Sequence, residues 1–350
     1  MLFLFVSIVT FISVMLVKKY FPVMGLLDRP DLYGHDRNPV PYPAGLILPV
    51  LFFGIVWGGD FIPQHMQTAF LGYTVASFLL LIVSFIDDRY KISVGIRLFI
   101  QILVAIIILA SGVSIPEIRS FIGDNISLLS DVEFFGFHIS PLSDMIVFCW
   151  ILFLMNSMNW LDGVSGLTSS VSFISTFLLA LTAYYSGQAD MANILLIFAS
   201  ILFIFFLFDI APAQILMGDS GSMFLGLSLA IFTTIAGGKV ITFMIIFFAP
   251  LFDTIWTIIR RVLSGNSPFK GDLEHLHHKL ARLFQSERKT VIIYMGITFL
   301  LGVIAFFLSF WQKIILLFVL ICIFSVFEIF LQRALRLKLQ PPESEKTLGE

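Results

Sequence analysis

Apolar runs long enough to cross a lipid bilayer recur from one end of the 350-residue chain to the other. A transmembrane helix needs about 17 to 25 predominantly apolar residues. Hydrophobic residues make up 58% of the sequence and charged residues only 13%, whereas a soluble domain carries about 25% charged residues. The apolar and polar alternation that is typical of membrane β-barrel strands is absent. The sequence therefore predicts an all-α, polytopic integral membrane protein.

The apolar runs predict about eleven transmembrane helices. The first run lacks a basic flank and a small-residue cleavage site, so we interpret it as a retained helix and not as a removed signal peptide. We predict one transmembrane domain over residues 1–338 and a polar, disordered tail over 339–350. The predicted helices lie near residues 2–17, 44–58, 68–86, 96–113, 142–158, 167–186, 192–209, 221–237, 239–259, 291–310 and 313–334.

The basic residues fall almost entirely on one side of the predicted membrane. If the N-terminus is outside, only Arg119, Lys239 and Lys313 of the 21 lysines and arginines lie on the outer side. Loops rich in lysine and arginine remain in the cytoplasm of bacterial cells. This rule assigns the basic loops to the cytoplasm. It also puts each polar cluster described below at the cytoplasmic ends of the helices.

Three aspartates lie at the ends of predicted helices. Asp87 and Asp88 end the third apolar run, in SFIDDRYKIS, although two adjacent carboxylates repel each other and a helix C-terminus favours cations. The pair is either a magnesium or general-base site or an interfacial acidic pair beside Arg89 and Lys91. Asp219, in LMGDSGSMFLG, precedes the eighth run. It either caps that helix or binds a metal ion beside the free N–H groups of the helix N-terminus.

A polar face ends the fifth apolar run, in NSMNWLDGVSGLTSS. Asn156, Asn159 and Asp162 are three residues apart and share one side of a helix. Amides and a carboxylate beside a glycine-rich turn suit a nucleotide or phosphate site, because such a turn exposes backbone N–H groups. Asp162 is also a candidate N-cap of the sixth helix. The two interpretations are compatible.

Three of the six histidines cluster in the basic loop that ends in DLEHLHHKLARLF. Helical spacing puts His275 and His278 on one face and His277 on another. A zinc site would have only Asp272 or Glu274 as its fourth ligand, and phosphate or sugar binding suits the loop better, since Lys279 and Arg282 add positive charge.

Two further acids lie within predicted helices. Asp253 either pairs with Arg260 or Arg261 at helical spacing or joins the polar site, and we favour a structural or supporting role for it. Glu328 lies in the last predicted helix, and the sequence identifies no partner for it.

The motifs DDRYK, NxxNxxDGxxGL, MGDSGS and HLHHKL follow one another between residues 28 and 280. Their types and order resemble the polyprenyl-phosphate N-acetylhexosamine-1-phosphate transferase family. The resemblance implies ten or eleven spans and a magnesium-dependent active site on the cytoplasmic side of the bacterial inner membrane. It also implies that the domain over 1–338 is catalytic, and that it transfers a sugar 1-phosphate from a UDP-sugar to polyprenyl phosphate with release of UMP.

The same resemblance assigns roles to individual residues. Two departures bear on these roles: Ser165 stands where many N-acetylglucosamine-type members have a second acid, and Lys91 resembles the muramoyl-peptide branch. The HxHH pattern, in contrast, resembles the N-acetylhexosamine branch. The implied roles are catalytic for Asp87 and Asp88, metal-binding for Asp219 with Mg²⁺ (Mn²⁺ left open), nucleotide- or sugar-binding for Asn156, Asn159, Asp162, His275, His277 and His278, and phosphate-binding for Lys91 and Arg282.

These assignments imply a UDP-N-acetylhexosamine, a polyprenyl phosphate and the lipid bilayer as partners, and no nucleic acid. The sequence leaves open whether the chain forms a homodimer, which sugar it uses and which cell-surface glycan it serves. A membrane transporter with a cytoplasmic-side acidic site is the alternative from another class, but a transporter favours polar residues near the bilayer midplane. A non-catalytic scaffold gives no reason for four polar clusters on one side.

Overall fold

The computed structural model describes residues 1–30, 37–115, 117–118, 126–128, 132–134, 137–236, 240–265, 267 and 274–339. Within these residues the chain is a bundle of α-helices, as the apolar runs predict. The helices are α1 Leu2–Tyr20, α2 Ile47–Gly58, α3 Gln67–Tyr90, α4 Val94–Ala110, α5 Pro141–Leu161, α6 Leu167–Tyr185, α7 Ala189–Asp209, α8 Gly218–Ile235, α9 Val240–Ile246, α10 Phe248–Leu263, α11 Leu276–Phe284, α12 Glu287–Phe307 and α13 Phe310–Leu339.

Seven of the helices in the described part of the chain are long and apolar enough to cross a membrane, or eight if a bent pair counts as one span. Two shorter apolar helices cover Ala44–Gly58, which includes a 3₁₀ turn before α2, and Val94–Ala110. The prediction of an all-α, multi-pass membrane protein is confirmed. The total of eleven spans stays a prediction, as does the single domain over 1–338. Most of the tail predicted to be disordered, residues 340–350, lies outside the described residues.

The predicted span over 239–259 is not one continuous helix. α9 and α10 meet at an angle of 86° around Phe247. Pro250 gives the physical reason, because a proline inside a helix clashes with the carbonyl group four residues earlier, here that of Ile246. In the first turn of a new helix the same proline is tolerated. The break turns α10 and its Asp253 away from the axis of α9.

α8 is the central helix, and nearly all of its side chains are buried. It packs against α3 and α5, and two of its glycines allow backbones to approach closely. A Cβ atom on Gly226 would lie 2.6 Å from the Leu154 carbonyl oxygen in α5, and one on Gly221 would lie 2.8 Å from the Gly45 Cα atom. The segment before α2 therefore crosses α8 just beyond Asp219.

Aromatic side chains hold this centre together. Phe52 of α2, Phe198 of α7 and Phe232 of α8 pack edge to face, with ring centroids 5.0 to 5.8 Å apart. Tyr73 of α3 joins them, and its hydroxyl hydrogen-bonds Ser228 of α8 at 2.5 Å. A buried tyrosine needs such a partner for its hydroxyl. The cluster ties α8 to three neighbours, below the polar end where the conspicuous motifs lie.

Four short strands lie in the connection between α4 and α5. β1 Glu117–Ile118 pairs antiparallel with β2 Ile126–Ser127, and β3 Val132–Phe134 pairs antiparallel with β4 Phe137–Ile139. The sequence patterns did not predict them. They follow the end of α4 that is opposite to the polar motifs, so they take no part in positioning the site.

Candidate active site

Asp88 holds the N-terminus of α8 from a neighbouring helix. Its Oδ1 accepts hydrogen bonds from the Tyr42 hydroxyl at 2.5 Å and from the Asp219 backbone N–H at 2.9 Å. Its Oδ2 accepts from the Ser220 N–H at 3.0 Å and from the Ser220 hydroxyl. The first N–H groups of a helix lack partners within the helix. The cap of α8 is therefore Asp88 of α3, and Asp219 lies in the first turn with its carboxylate left for other contacts.

Tyr42 contributes the fourth donor to Asp88 from the segment before α2. Burial, and then the negative charges of Asp88 and Asp219, raise the pKa of the Tyr42 hydroxyl far above its ordinary value. The hydroxyl therefore keeps its proton and donates it to Asp88 at any physiological pH. No local pattern in the sequence relates Tyr42 to an aspartate 46 residues away, so the sequence alone did not identify it.

Asp87 makes different contacts from its neighbour. Its Oδ1 accepts the Ile92 N–H at 2.9 Å, and its Oδ2 lies 2.5 Å from an Arg97 nitrogen. The other terminal nitrogen of Arg97 lies 3.7 Å from Asp219 Oδ2. Arg97 thus bridges Asp87 and Asp219. We call Asp87, Asp88 and Asp219 together the acid cluster. A small cavity beside Asp87 and Arg97 lies between α3, α4 and α8, lined mostly by apolar side chains such as Leu80, Ile100 and Met223.

The two asparagines of α5 have partners on different helices. Asn156 forms a reciprocal amide pair with Gln101 of α4, with Asn156 Nδ2 3.0 Å from Gln101 Oε1. Asn159 Nδ2 lies 3.4 Å from the Ser222 hydroxyl of α8. Asn159 therefore faces α8, the helix that carries Asp219. Asn156 instead contacts α4 at Gln101, one helical turn beyond Arg97. Their predicted role in nucleotide binding stays a prediction.

Asp162 ends α5 and does not cap α6. The residue that precedes α6 is Gly166, in the left-handed conformation at φ +83°, so the N-cap interpretation of Asp162 is wrong. A Cβ atom on Gly166 would lie 2.7 Å from the Ile210 Cα atom, and this close approach excludes a capping side chain there. Burial raises the pKa of Asp162 well above its ordinary value, and the charges of Asp209, Asp219 and Asp88 add to the effect. Asp162 is thus close enough to the acid cluster to feel its charge.

Asp209, at the end of α7, is a further buried acid that the sequence analysis did not single out. Its Oδ2 accepts a hydrogen bond from the Ser169 hydroxyl of α6 at 2.6 Å, and its side chain is 2% exposed. It supports the turn from Asp162 to Gly166. An acid at the end of a long apolar run is the signal that could have identified it, the same signal that drew attention to Asp219.

The histidine segment, residues 275–278, lies against the Asp162–Gly163 turn. A Cβ atom on Gly163 would lie 2.6 Å from His278 Nε2 and 3.2 Å from His277 Nε2. The expectation that His277 points away from the other two histidines is wrong, because His275 precedes α11 and the helical spacing does not apply to it. The His277 ring lies between its neighbours, with centroids 5.3 Å from His275 and 4.3 Å from His278.

Asp253 of α10 meets the histidine segment. One carboxylate oxygen accepts the Leu276 N–H at 2.8 Å, and the other lies 3.0 Å from His277 Nδ1. His275 Nδ1 lies 3.4 Å from Asp253 Oδ1. The structure therefore supports the expectation that Asp253 joins the polar site. Together with His275 and His277 it forms a buried group whose ligand atoms are close enough to hold a metal ion.

Both residues with a predicted role in phosphate binding are exposed. Lys91 ends α3 in the left-handed conformation at φ +54°, three residues beyond Asp88. Arg282 of α11 lies 3.6 Å from Glu274. Their roles stay predictions, and the cation that the structure brings to the acid cluster is Arg97. The sequence analysis counted Arg97 only among the basic loop residues, because the positive-inside rule already explained it.

Glu328, which had no partner in the sequence analysis, accepts a hydrogen bond from Lys279 of α11. Both side chains are almost completely buried. Breaking a buried ion pair from one side leaves an uncompensated charge and costs about 3–5 kcal/mol, whereas apolar replacement of both partners is often neutral. We expect Lys279→Met or Glu328→Leu alone to lower the thermal unfolding temperature strongly and the double variant to recover most of the loss. A double variant as unstable as the sum of the single ones would contradict the pairing.

His278 makes the stability of the protein depend on pH. Burial, and then the charges of His277 and His275, lower its pKa from 6.5 to about 3. Below pH 6.5 the unfolded chain therefore binds a proton that the folded chain does not, and stability falls as the pH falls toward 3. We expect the unfolding temperature of the protein to drop between neutral pH and about pH 5, and to drop less in His278→Gln. Equal pH dependence in the two proteins would be evidence against a neutral, half-buried His278.

Acids, amides and histidines thus gather at one end of a bundle of apolar helices, and this group is the candidate active site of an integral membrane protein. The model of a family described as glycosyl transferase family 4 matches residues 70–237, which include the acid cluster and both asparagines of α5. Over these residues the chain is similar to this family. The resemblance drawn from the motifs is confirmed.

Several relatives match nearly the whole chain. A Bacillus subtilis protein named probable undecaprenyl-phosphate N-acetylglucosaminyl 1-phosphate transferase is 28% identical over 89% of this chain and 86% of its own length. The Escherichia coli K12 undecaprenyl-phosphate alpha-N-acetylglucosaminyl 1-phosphate transferase is 24% identical over 95% of this chain and 90% of its own. The Mycobacterium tuberculosis H37Rv decaprenyl-phosphate N-acetylglucosaminephosphotransferase is 25% identical over 86% of this chain and 79% of its own.

Proposed function

We propose that this chain transfers an N-acetylhexosamine 1-phosphate from a UDP-sugar to polyprenyl phosphate, at the cytoplasmic side of the bacterial inner membrane. An oxygen of the polyprenyl phosphate attacks the β-phosphorus of the UDP-sugar, the bond to the bridging oxygen breaks, and UMP leaves. The observation that carries the proposal is the acid cluster at the N-terminus of buried α8, bridged by Arg97. The relatives named for this reaction align with this chain over most of its length. The transporter alternative is not favoured.

The residues of the acid cluster fit a divalent cation. Mg²⁺ prefers carboxylate oxygens and is usually held by one or two of them together with substrate phosphates. Asp219 and Asp87 offer such oxygens around one guanidinium, and the charges of Asp219 and Asp88 add to the burial that raises the pKa of Asp162. Asp219, with Asp87 beside it, would hold the ion. A bound Mg²⁺ supplies positive charge that offsets the charge of the two phosphate groups.

The contacts of Asp87 and Asp88 support a division of labour between them. Asp88 is filled by four donors and holds α8, so its oxygens are engaged in positioning Asp219. Asp87 lies beside the apolar cavity between α3, α4 and α8. We assign the phosphate end of the lipid to Asp87 and Arg97, where Arg97 binds phosphate oxygens and Asp87 Oδ2 accepts the proton of the lipid phosphate.

The nucleotide and sugar would lie beside the Asp162–Gly163 turn and the histidine segment, which contact each other. Asn159 faces this space from α5, and its amide can both donate to and accept from uracil or sugar groups. His277 and His278 line it beside Gly163. This arrangement orients the pyrophosphate toward the N-terminus of α8, where the helix dipole favours phosphate groups.

The test is an assay with purified protein, undecaprenyl phosphate and several radiolabelled UDP-sugars. We expect a labelled lipid product and equimolar UMP with one N-acetylhexosamine donor, only when Mg²⁺ or Mn²⁺ is added. Omission of undecaprenyl phosphate is the control for hydrolysis of the donor. Absence of labelled lipid with all donors would contradict the proposed function, and full activity in the presence of a chelator would contradict the metal.

A further inference from the structure

Asp253 is buried inside the bent helix pair, where a charge without partners would be costly. Its side chain is 4% exposed, and both of its carboxylate oxygens point at the histidine segment. Neither the phosphate-binding nor the acid-cluster contacts above use it. The buried carboxylate therefore has a role that involves the histidine segment.

The group of Asp253, His275 and His277 could hold a metal ion, but hydrogen bonds account for its contacts. Asp253 Oδ1 accepts the Leu276 N–H, and Asp253 Oδ2 lies at hydrogen-bond distance from His277 Nδ1. His275 Nδ1 lies 3.3 Å from the Thr257 hydroxyl as well as near Asp253. Each ring nitrogen that faces Asp253 thus has a protein partner. A carboxylate accepts hydrogen bonds and cannot donate them when ionised, so His277 Nδ1 must carry the proton.

The other nitrogen of the His277 ring is then a hydrogen-bond acceptor. In a neutral imidazole one nitrogen donates and the other accepts, and burial lowers the pKa of His277, which favours the neutral ring. His277 Nε2 is fully buried and is without a hydrogen-bond partner among the described residues. It faces the Asp162–Gly163 turn, 3.2 Å from the position of a Cβ atom on Gly163. A buried acceptor without a partner is costly in a folded protein and signals a missing ligand atom.

We infer that Asp253 is a positioning residue, which fixes His277 in the tautomer protonated at Nδ1 so that Nε2 accepts a hydrogen bond from an N–H or O–H group of the UDP-sugar. This inference rests on the proposed function for the identity of the ligand. Uracil, ribose hydroxyl, sugar hydroxyl and acetamide groups all offer such donors. A site built to accept from a donor discriminates strongly against a substrate that lacks it, because the acceptor would then stay unpaired.

The tautomer can be measured without any activity. In protein labelled with ¹⁵N-histidine, the nitrogen chemical shifts distinguish a protonated from an unprotonated ring nitrogen, and the signals absent from His277→Gln assign His277. We expect the wild type to carry the proton at Nδ1 and Asp253→Asn to show a mixture of tautomers. A wild-type ring protonated at Nε2, or a stoichiometric metal ion that Asp219→Asn retains and His277→Gln loses, would overturn the inference.

Kinetics test the consequence for the substrate. Loss of one hydrogen bond to the UDP-sugar raises its KM by roughly tenfold, and we expect this in Asp253→Asn with the KM for polyprenyl phosphate unchanged. His277→Gln, whose amide oxygen reaches the place of Nε2, should retain more activity than His277→Asn. Since Asp253 acts through His277, the Asp253→Asn/His277→Gln double variant should be as active as the less active of the two single variants.

Asp190, an exposed acid at the start of α7, provides the matched control, and Asp190→Asn should behave as wild type. The inference would be overturned if the losses of activity added up in the double variant, or if His277→Asn were more active than His277→Gln. Should Asp253→Asn fail to fold, the wild-type tautomer and the two His277 variants still decide. A wild-type protein without transferase activity contradicts the proposed function and leaves the tautomer result to stand alone.

Discussion

Asp219→Asn is expected to reduce UMP release by roughly 100-fold or more, because the loss of one preorganised electrostatic group in an active site has effects of this size. The variant keeps the shape of the side chain and removes its charge. Arg97 retains Asp87 at 2.5 Å, so the guanidinium does not lose its main partner. The measurement is UMP release from the UDP-sugar with polyprenyl phosphate, over a series of Mg²⁺ concentrations. We expect the variant to need more Mg²⁺ for its residual activity.

The fold of Asp219→Asn should survive. α8 is capped by Asp88, and the bond from residue 219 to Asp88 comes from the backbone N–H, which asparagine keeps. The side chain of Asp219 is also partly exposed, at 22%. Thermal unfolding and size-exclusion profiles should therefore match the wild type, and Asp190→Asn serves as the control for a neutralised acid elsewhere. Full activity in Asp219→Asn would contradict the assignment of Asp219.

The sequence predicted the meeting of the polar motifs better than their atomic roles. Sorting the basic residues put Asp88, Asp219 and the histidines at one end of the bundle, and the structure brings them into contact or near contact there. That sorting could not tell a cap from a ligand, because both place a carboxylate at a helix N-terminus. The cap turned out to come from a residue 131 positions earlier in the chain. No local pattern carries information about such a pairing.

Other residues were hidden because a simpler explanation already covered them. Arg97 satisfied the positive-inside rule, and nothing in its neighbourhood distinguished it from Arg89 or Lys91. The bend at Phe247 was different, since Pro250 could have predicted it from the sequence alone. Glu328 needed the structure, because its partner Lys279 lies on a separate helix. Features that depend on neighbouring residues could thus be predicted from the sequence, whereas contacts between residues far apart in the chain could not.

Asp88→Asn and Asp87→Asn should differ in what they damage, although the two residues are adjacent. Asp88 accepts from four donors, two of them N–H groups in the first turn of α8. An asparagine would turn its NH₂ group toward at least one of these donors, and a lost hydrogen bond to a charged group costs about 1.5–3 kcal/mol. We expect Asp88→Asn to lower the free energy of unfolding by about this amount and to lose activity as the start of α8 moves.

Asp87→Asn should instead lose activity with a smaller loss of stability. Its partner Arg97 is 27% exposed and retains Asp219 nearby, so neutralising Asp87 leaves no fully buried charge unpaired. Thermal unfolding in detergent, measured beside the transferase assay, separates the two cases.

Tyr42→Phe and Ser220→Ala each remove one donor from Asp88 and should show a fraction of the stability loss of Asp88→Asn. An Asp88→Asn variant as stable as the wild type would show that the hold of Asp88 on α8 contributes little, and a larger stability loss in Asp87→Asn would reverse the division of labour.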